Sequence, residues 1–131
     1  MAGIDHVTIT AADFQTALRF YDAVLPAVGL VRLDELVDEE EATPTVEAAG
    51  WGRPDGARVL WLVSGSPATT GLHLGLAAHS QGEVETFFRL AVRAGGTERS
   101  APRRWPIYRR GEFNAMVVDP GGNVVEAVAA E

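Results

Sequence analysis

Gly71–Phe88, GLHLGLAAHSQGEVETFF, reads as a second copy of Gly3–Tyr21, GIDHVTITAADFQTALRFY. A shift of 67 residues (73 − 6) lays His73 on His6, Leu74 on Val7, Leu76 on Ile9, Ser80 on Asp13, Phe87 on Phe20 and Phe88 on Tyr21. Each copy opens with an alternation of apolar and less apolar residues, the pattern of a strand with one buried face. Each then sets a capping residue, Asp13 or Ser80, ahead of a run with helical apolar spacing. Ser80 and Glu83 have the spacing of a capping box. The repeat therefore places one histidine at an equivalent point in each half, on the strand face away from the large apolar side chains.

Outward from these two stretches, the halves share a plan. In the first, Pro26 and Gly29 close the helix, and strands are expected over about Gly29–Glu35, Thr45–Gly50 and Arg58–Val63, with Trp51–Gly56 as a turn. The acidic run Asp34–Glu41 reads as a solvated connection. SGSPATT, Ser64–Thr70, is the seam. In the second half the helix stops at Gly95-Gly96. A short strand over Thr97–Ala101 follows, then a basic aromatic loop, RRWPIYRR, over Arg103–Arg110. Strands over Glu112–Val118 and Val124–Ala129 flank the turn DPGGN. The expected fold is α+β: two βαβββ modules, about 1–66 and 67–131, in a single domain.

Composition narrows the function. The chain has 131 residues, 47% hydrophobic and 22% charged, which suits one globular domain with a sizeable core. A net charge of −7 argues against a nucleic-acid partner and against docking on an anionic membrane. There is no cysteine, so no disulfide and no thiolate ligand. With neither a basic-then-apolar leader nor an apolar run of about 18 residues, the expectation is a soluble, cytoplasmic protein.

Three residues then stand out. His6 and His73 are related by the repeat. Glu126 sits in VVEAVAA, where an ionised carboxylate is costly unless it is paired or bound to a cation. If the two halves pack with pseudo-symmetry, both imidazoles and this carboxylate can reach one cavity. Two neutral imidazoles and a carboxylate form a recognised set for a divalent metal with open positions, such as Fe, Mn, Zn or Ni. A lone strand histidine is more often structural, and the competing reading has both rings hydrogen-bonded inside a packed seam, with Glu126 facing solvent. Tyr108 is a candidate catalytic donor to a bound oxygen. Trp61, Trp105, Phe113 and Met116 are candidates to line an apolar substrate pocket. Arg103, Arg104, Arg109 and Arg110 could receive an anionic substrate.

The opening GIDHVTITAAD…ALRFYDAVLPAVGL, the central HLGLAA with its helix, and the closing DPGGNVVEAV together resemble the vicinal oxygen chelate superfamily, the glyoxalase/bleomycin resistance/dioxygenase-like group. The resemblance covers essentially the whole chain. It implies paired βαβββ modules around a metal whose ligands come from the first and fourth strands of each module. His6 and His73 match the first-strand ligands and Glu126 the last-strand carboxylate. The fourth position would fall at Leu60 or Trp61; aligning Gly56 with Gly122 selects Leu60, and neither residue binds a metal. This departs from the four-ligand pattern of glyoxalase I and resembles the His-His-Glu set of extradiol dioxygenases. The resemblance also implies a homodimer and a small oxygen-bearing substrate chelated to the metal. The alternative it offers is a metal-free protein of the bleomycin-resistance kind that sequesters a ligand, for which the negative charge suits a cationic molecule.

Overall fold

The computed structural model describes residues 3–40, 42, 45–105 and 111–130. Two four-stranded sheets are each built from one half of the chain. The first contains β1 (Val7–Ala11), β2 (Val31–Val37), β3 (Val46–Gly52) and β4 (Arg58–Ser64), in the order β1-β4-β3-β2. The second contains β5 (His73–Ala78), β6 (Thr97–Arg104), β7 (Phe113–Val118) and β8 (Val124–Ala129), in the order β5-β8-β7-β6. In each sheet the first strand pairs in parallel with the fourth, and the remaining pairs are antiparallel. The expected pair of βαβββ modules is the observed architecture.

Helix α1 (Phe14–Val24) starts where Asp13 accepts from the Thr16 backbone N–H and from its hydroxyl. Those bonds favour the carboxylate form and hold the Asp13 carboxyl below its usual range. A 3₁₀ turn over Leu25–Val28 follows, with Pro26 early in it. Helix α2 (Gln81–Arg93) is capped by Ser80, which accepts from Glu83 N–H, while the Glu83 carboxylate reaches back to His79 N–H. α1 lies on the first sheet, α2 on the second, and the helices also touch each other. Their apolar faces, with Phe20, Tyr21, Val24, Val84 and Phe87, join Trp51, Leu60, Leu62, Val117 and Val125 in one buried cluster.

Several boundaries differ from expectation. β2 runs on to Val37, so pairing with β3 takes Asp34 and Glu35 of the acidic run into the first sheet rather than leaving them in a connection. His6 lies just ahead of β1, not within a strand. Trp51 and Gly52 complete β3, so the turn begins only at Arg53, and Trp51 is fully buried. Its size and apolar surface draw it into the core against Tyr21, overriding the turn signals around it. β6 continues to Arg104, because pairing with β7 extends to Arg104↔Phe113 and carries both arginines out of the expected loop.

The modules are also tied by polar groups. Tyr21 on α1 donates its hydroxyl to the buried Asp119 carboxylate in the β7–β8 turn. Asp119 also accepts from the Gly121 and Asn123 backbone N–H groups, each at 2.9 Å. Asn123 in turn bonds Thr69 and Leu72 in the connecting segment. No helix among the described residues is long and apolar enough to cross a membrane.

Candidate functional site

Strand alternation sorts the second sheet into two faces. Leu74, Leu76, Ala115, Val117, Val125 and Ala127 point toward α2 and the core. His73, Asn114, Met116 and Glu126 belong to the opposite face. The parallel register sets His73 level with Val124 and Gly75 level with Glu126, so His73 and Glu126 are diagonal neighbours. His73 Nε2 stands 2.9 Å from Glu126 Oε1. Gly75 lies directly opposite Glu126. A Cβ there would meet Glu126 Oε1 at 3.6 Å, so this stretch of β5 leaves the carboxylate room.

Glu126 is 4% exposed, while the His73 side chain is half exposed. The second carboxylate oxygen, Oε2, accepts from Asn114 Nδ2 at 2.7 Å. Asn114 is itself fully buried, and its Oδ1 accepts from the Trp105 indole N–H. The Arg103 guanidinium lies 4.5 Å over the Trp105 ring, a cation–π contact. A line of hydrogen bonds thus runs from a partly exposed indole, through a buried amide, to a buried carboxylate and an exposed imidazole.

The first sheet does not repeat this arrangement. His6, at the exposed end of β1, pairs with the neighbouring Asp5 at 2.8 Å. The register Val7↔Leu60 sets His6 level with Val59, as His73 is level with Val124. The residue equivalent to Glu126 is therefore Trp61, not the Leu60 that the glycine alignment selected. Leu60 faces the core and is buried. The Trp61 ring lies against Gly50 so closely that a Cβ there would come within 3.0 Å of three ring atoms.

Among the described residues, no three His, Asp or Glu side chains are grouped to hold one ion. The expectation that His6, His73 and Glu126 converge within one chain is corrected accordingly: His73 and Glu126 meet, and His6 does not join them. β1 and β5 are edge strands of separate sheets, so the repeat places their histidines at equivalent points without bringing them together. Met116 lies directly opposite Glu126 on the same face. Phe113 is on the other face, packed against the core. Tyr108, Arg109 and Arg110 lie outside the described residues. Asn114 is the site residue that sequence reading missed. Its signal was a polar residue inside the apolar strand FNAMVV, the counterpart of Glu126 inside VVEAVA.

A cavity of about 700 Å³ opens between the first sheet and β5, lined by Val7, Leu60, Leu74 and Leu76 with Arg53 and His79 among its polar groups. Leu74 and Leu76 line it from the face of β5 opposite His73.

The profile of the Glyoxalase/Bleomycin resistance protein/Dioxygenase superfamily matches residues 3–127. The chain belongs to this superfamily. Among solved structures, it is similar to a glyoxalase/bleomycin resistance protein from Albidiferax ferrireducens T118, with 23% identity, 97% of this chain and 98% of that one covered, and a TM-score of 0.76. It is also similar to lactoylglutathione lyase from Agrobacterium tumefaciens, with 20% identity, 98% and 94% coverage and a TM-score of 0.66. TioX from Micromonospora sp. ML1 has 17% identity, 99% and 100% coverage and a TM-score of 0.67. At these identities the likeness establishes the shared superfamily fold. No curated protein matches the chain in sequence.

Within that superfamily fold, the donor chemistry of His73 and Glu126 fits a divalent metal. Two adjacent ligands, each about 2.1 Å from an octahedral ion, stand about 3.0 Å apart. The 2.9 Å between Nε2 and Oε1 is close to that spacing. The fit covers two ligands of a set, not a complete one.

Proposed function

We propose that this superfamily member is a glyoxalase/dioxygenase-like, metal-dependent enzyme acting on a small oxygen-bearing substrate. The observation that carries the proposal is the His73–Glu126 pair, an imidazole and a buried carboxylate at ligand spacing on the sheet face away from the core. In this reading His73 Nε2 and Glu126 Oε1 hold a divalent metal, which is Fe, Mn, Zn or Ni. His6 supplies a third ligand from a second copy of the chain in a homodimer. Two features support the second copy: His6 is exposed, and β1 and β5 each stand at the edge of a sheet. When bound, the metal supplies Lewis-acid polarisation of two neighbouring substrate oxygens.

The protein's own groups have separate tasks. Glu126 brings a negative charge that compensates a cation in a site largely closed to water. Asn114 holds one carboxylate oxygen and leaves the other toward His73. Met116, opposite Glu126, and Trp105, beyond Asn114, receive the apolar part of the substrate in this reading, with Trp61 contributing from the first sheet. Tyr108 is proposed as the hydrogen-bond donor to a substrate oxygen.

The test is metal analysis of purified protein. The proposal expects about one equivalent per chain in the wild type, lost in His73→Ala and in Glu126→Gln. His6→Ala and His73→Ala proteins each lack metal, and mixing them restores about a quarter of the wild-type sites if ligands are shared between copies. No restoration removes the shared site.

Trp61 favours a second reading. An indole standing where the other module carries a carboxylate suits a protein that holds a ligand without chemistry, of the bleomycin-resistance kind. Metal-free wild-type protein with ligand affinity indifferent to a chelator selects that reading.

A further inference from the structure

Hydrogen bonds link Trp105, Asn114, Glu126 and His73 in series. An indole N–H is a donor only. It points at Asn114, so the amide must turn its Oδ1 to the indole and its Nδ2 the other way. The amide orientation is thereby fixed by chemistry. Nδ2 then donates to Glu126 Oε2 at 2.7 Å, and the carboxylate rotamer so held presents Oε1 to His73 Nε2 at 2.9 Å. Water does not compete for these bonds: Asn114 is completely buried, and Glu126 is 4% exposed. A buried amide flanked by a donor-only group and a carboxylate has one satisfied arrangement, since reversing it would set Oδ1 against Oε2 and Nδ2 against an N–H.

We propose that Asn114 is a positioning residue for Glu126, and that Trp105 acts in series behind it by fixing the amide. The proposal rests on the reading of His73 and Glu126 as metal ligands, and its reach is specific. Neither residue touches the metal or substrate through this bond. Their effect is on the angle at which Oε1 is offered, and through it on how tightly the pair holds a cation. Partners that orient a ligand in this way typically carry a 10- to 100-fold share of metal affinity. The indole end of the line is partly exposed and bears the Arg103 guanidinium on its ring, so the positioning device begins at the surface and ends at the ligand pair.

The experiment titrates dialysed protein with Zn(II) or Mn(II) alone, by calorimetry, in the wild type and in Asn114→Leu, Trp105→Phe and the double variant. The Asn114→Leu change keeps the size of the side chain but can neither accept from Trp105 nor donate to Glu126; an aspartate would not serve, because beside a buried carboxylate it keeps its proton and still donates. The expected result is metal affinity weakened about 10- to 100-fold in Asn114→Leu and less in Trp105→Phe, with the double variant no worse than Asn114→Leu. Affinity within about twofold of wild type in Asn114→Leu, or losses that multiply in the double variant, overturns the proposal. Trp105→Phe changes a partly exposed side chain, so it keeps the series testable if Asn114→Leu does not fold. A separate arm covers a wild type that binds no metal, an outcome that defeats the functional reading alone. In metal-free protein a His73 ring N–H bonded to Glu126 is expected to give a nitrogen–proton NMR signal protected from exchange. Its loss in Trp105→Phe and Asn114→Leu supports the positioning line, and its persistence in both overturns it.

Discussion

Trp61 and Glu126 occupy the same register position in the two sheets: each lies two residues beyond the partner of its module's histidine along the parallel neighbour strand. One module thus offers a carboxylate and the other an indole. In the proposed metal site the anionic ligand, Glu126, therefore comes from the second module, with no counterpart at Trp61. Trp61→Ala is expected to leave Zn(II) or Mn(II) affinity within about twofold, while Glu126→Gln weakens it at least 100-fold, because a neutral amide does not compensate a dication. Calorimetric titration of the two variants checks this. A Trp61→Ala protein that lost metal as Glu126→Gln does would place the indole in the ligand network and defeat the asymmetry.

The glycines beneath these two side chains have opposite tolerances. A Cβ at Gly50 would press to 3.0 Å on three atoms of the Trp61 ring, whereas one at Gly75 would make ordinary contacts with Glu126 at 3.6 Å and beyond. Gly50→Ala is expected to cost about 1–3 kcal/mol by forcing the ring from its seat. Gly75→Ala is expected to change stability by less than about 0.5 kcal/mol. Chemical denaturation of both proteins measures the contrast, and equal effects would show that the ring yields freely.

Trp51 joins the first sheet to the core. It is fully buried and stands 6.3 Å from the Tyr21 ring, measured between centroids. Trp51→Ala is expected to lose about 3–5 kcal/mol, a large part of the stability of a domain this size. Thermal unfolding followed by circular dichroism reports the loss. A midpoint unchanged within a few degrees would contradict the burial.

The sequence made the modules legible because periodicity is local. Val7 and Ile9, like Leu74 and Leu76, announce a strand with one apolar face, and Asp13 and Ser80 announce the helices behind them. The pairing of strands is not local. Trp61 lies five residues after Gly56 but Glu126 only four after Gly122, so aligning the glycines shifts the register by one. With a side-chain period of two, that single residue moved the expected position from the exposed face to the core. The same limit hid Asn114. Its partners, Trp105 and Glu126, lie on either side of it in the chain and meet it only through the β6–β7 hairpin and the β7–β8 pairing. Convergence of His6 with His73 was expected from symmetry, but symmetry equates positions without placing them side by side.

The chain contains two tyrosines, no cysteine and no lysine, so between pH 9 and 12 its side-chain titration belongs to Tyr21 and Tyr108. Burial, then the charge of Asp119 and the hydrogen bond to it, pushes the Tyr21 phenol well above its ordinary value of 10.0. In the unfolded chain that phenol regains the ordinary value. Below pH 10 it is protonated in both states, and the stability it contributes is fully present. Above pH 10 the unfolded state releases a proton that the folded state keeps, so stability falls with rising pH, by at most about 1.4 kcal/mol per unit. Tyr21→Phe removes this slope, and it also removes the donor to a buried carboxylate, at a cost of about 1–3 kcal/mol near neutrality. The two effects oppose each other as alkalinity increases: wild type is the more stable protein at pH 8, and its advantage shrinks by up to about 2.8 kcal/mol between pH 10 and 12. Urea unfolding of both proteins at each pH checks the narrowing. A constant gap across that range would mean that Tyr21 ionises as readily folded as unfolded, and that its seat against Asp119 does not hold the proton.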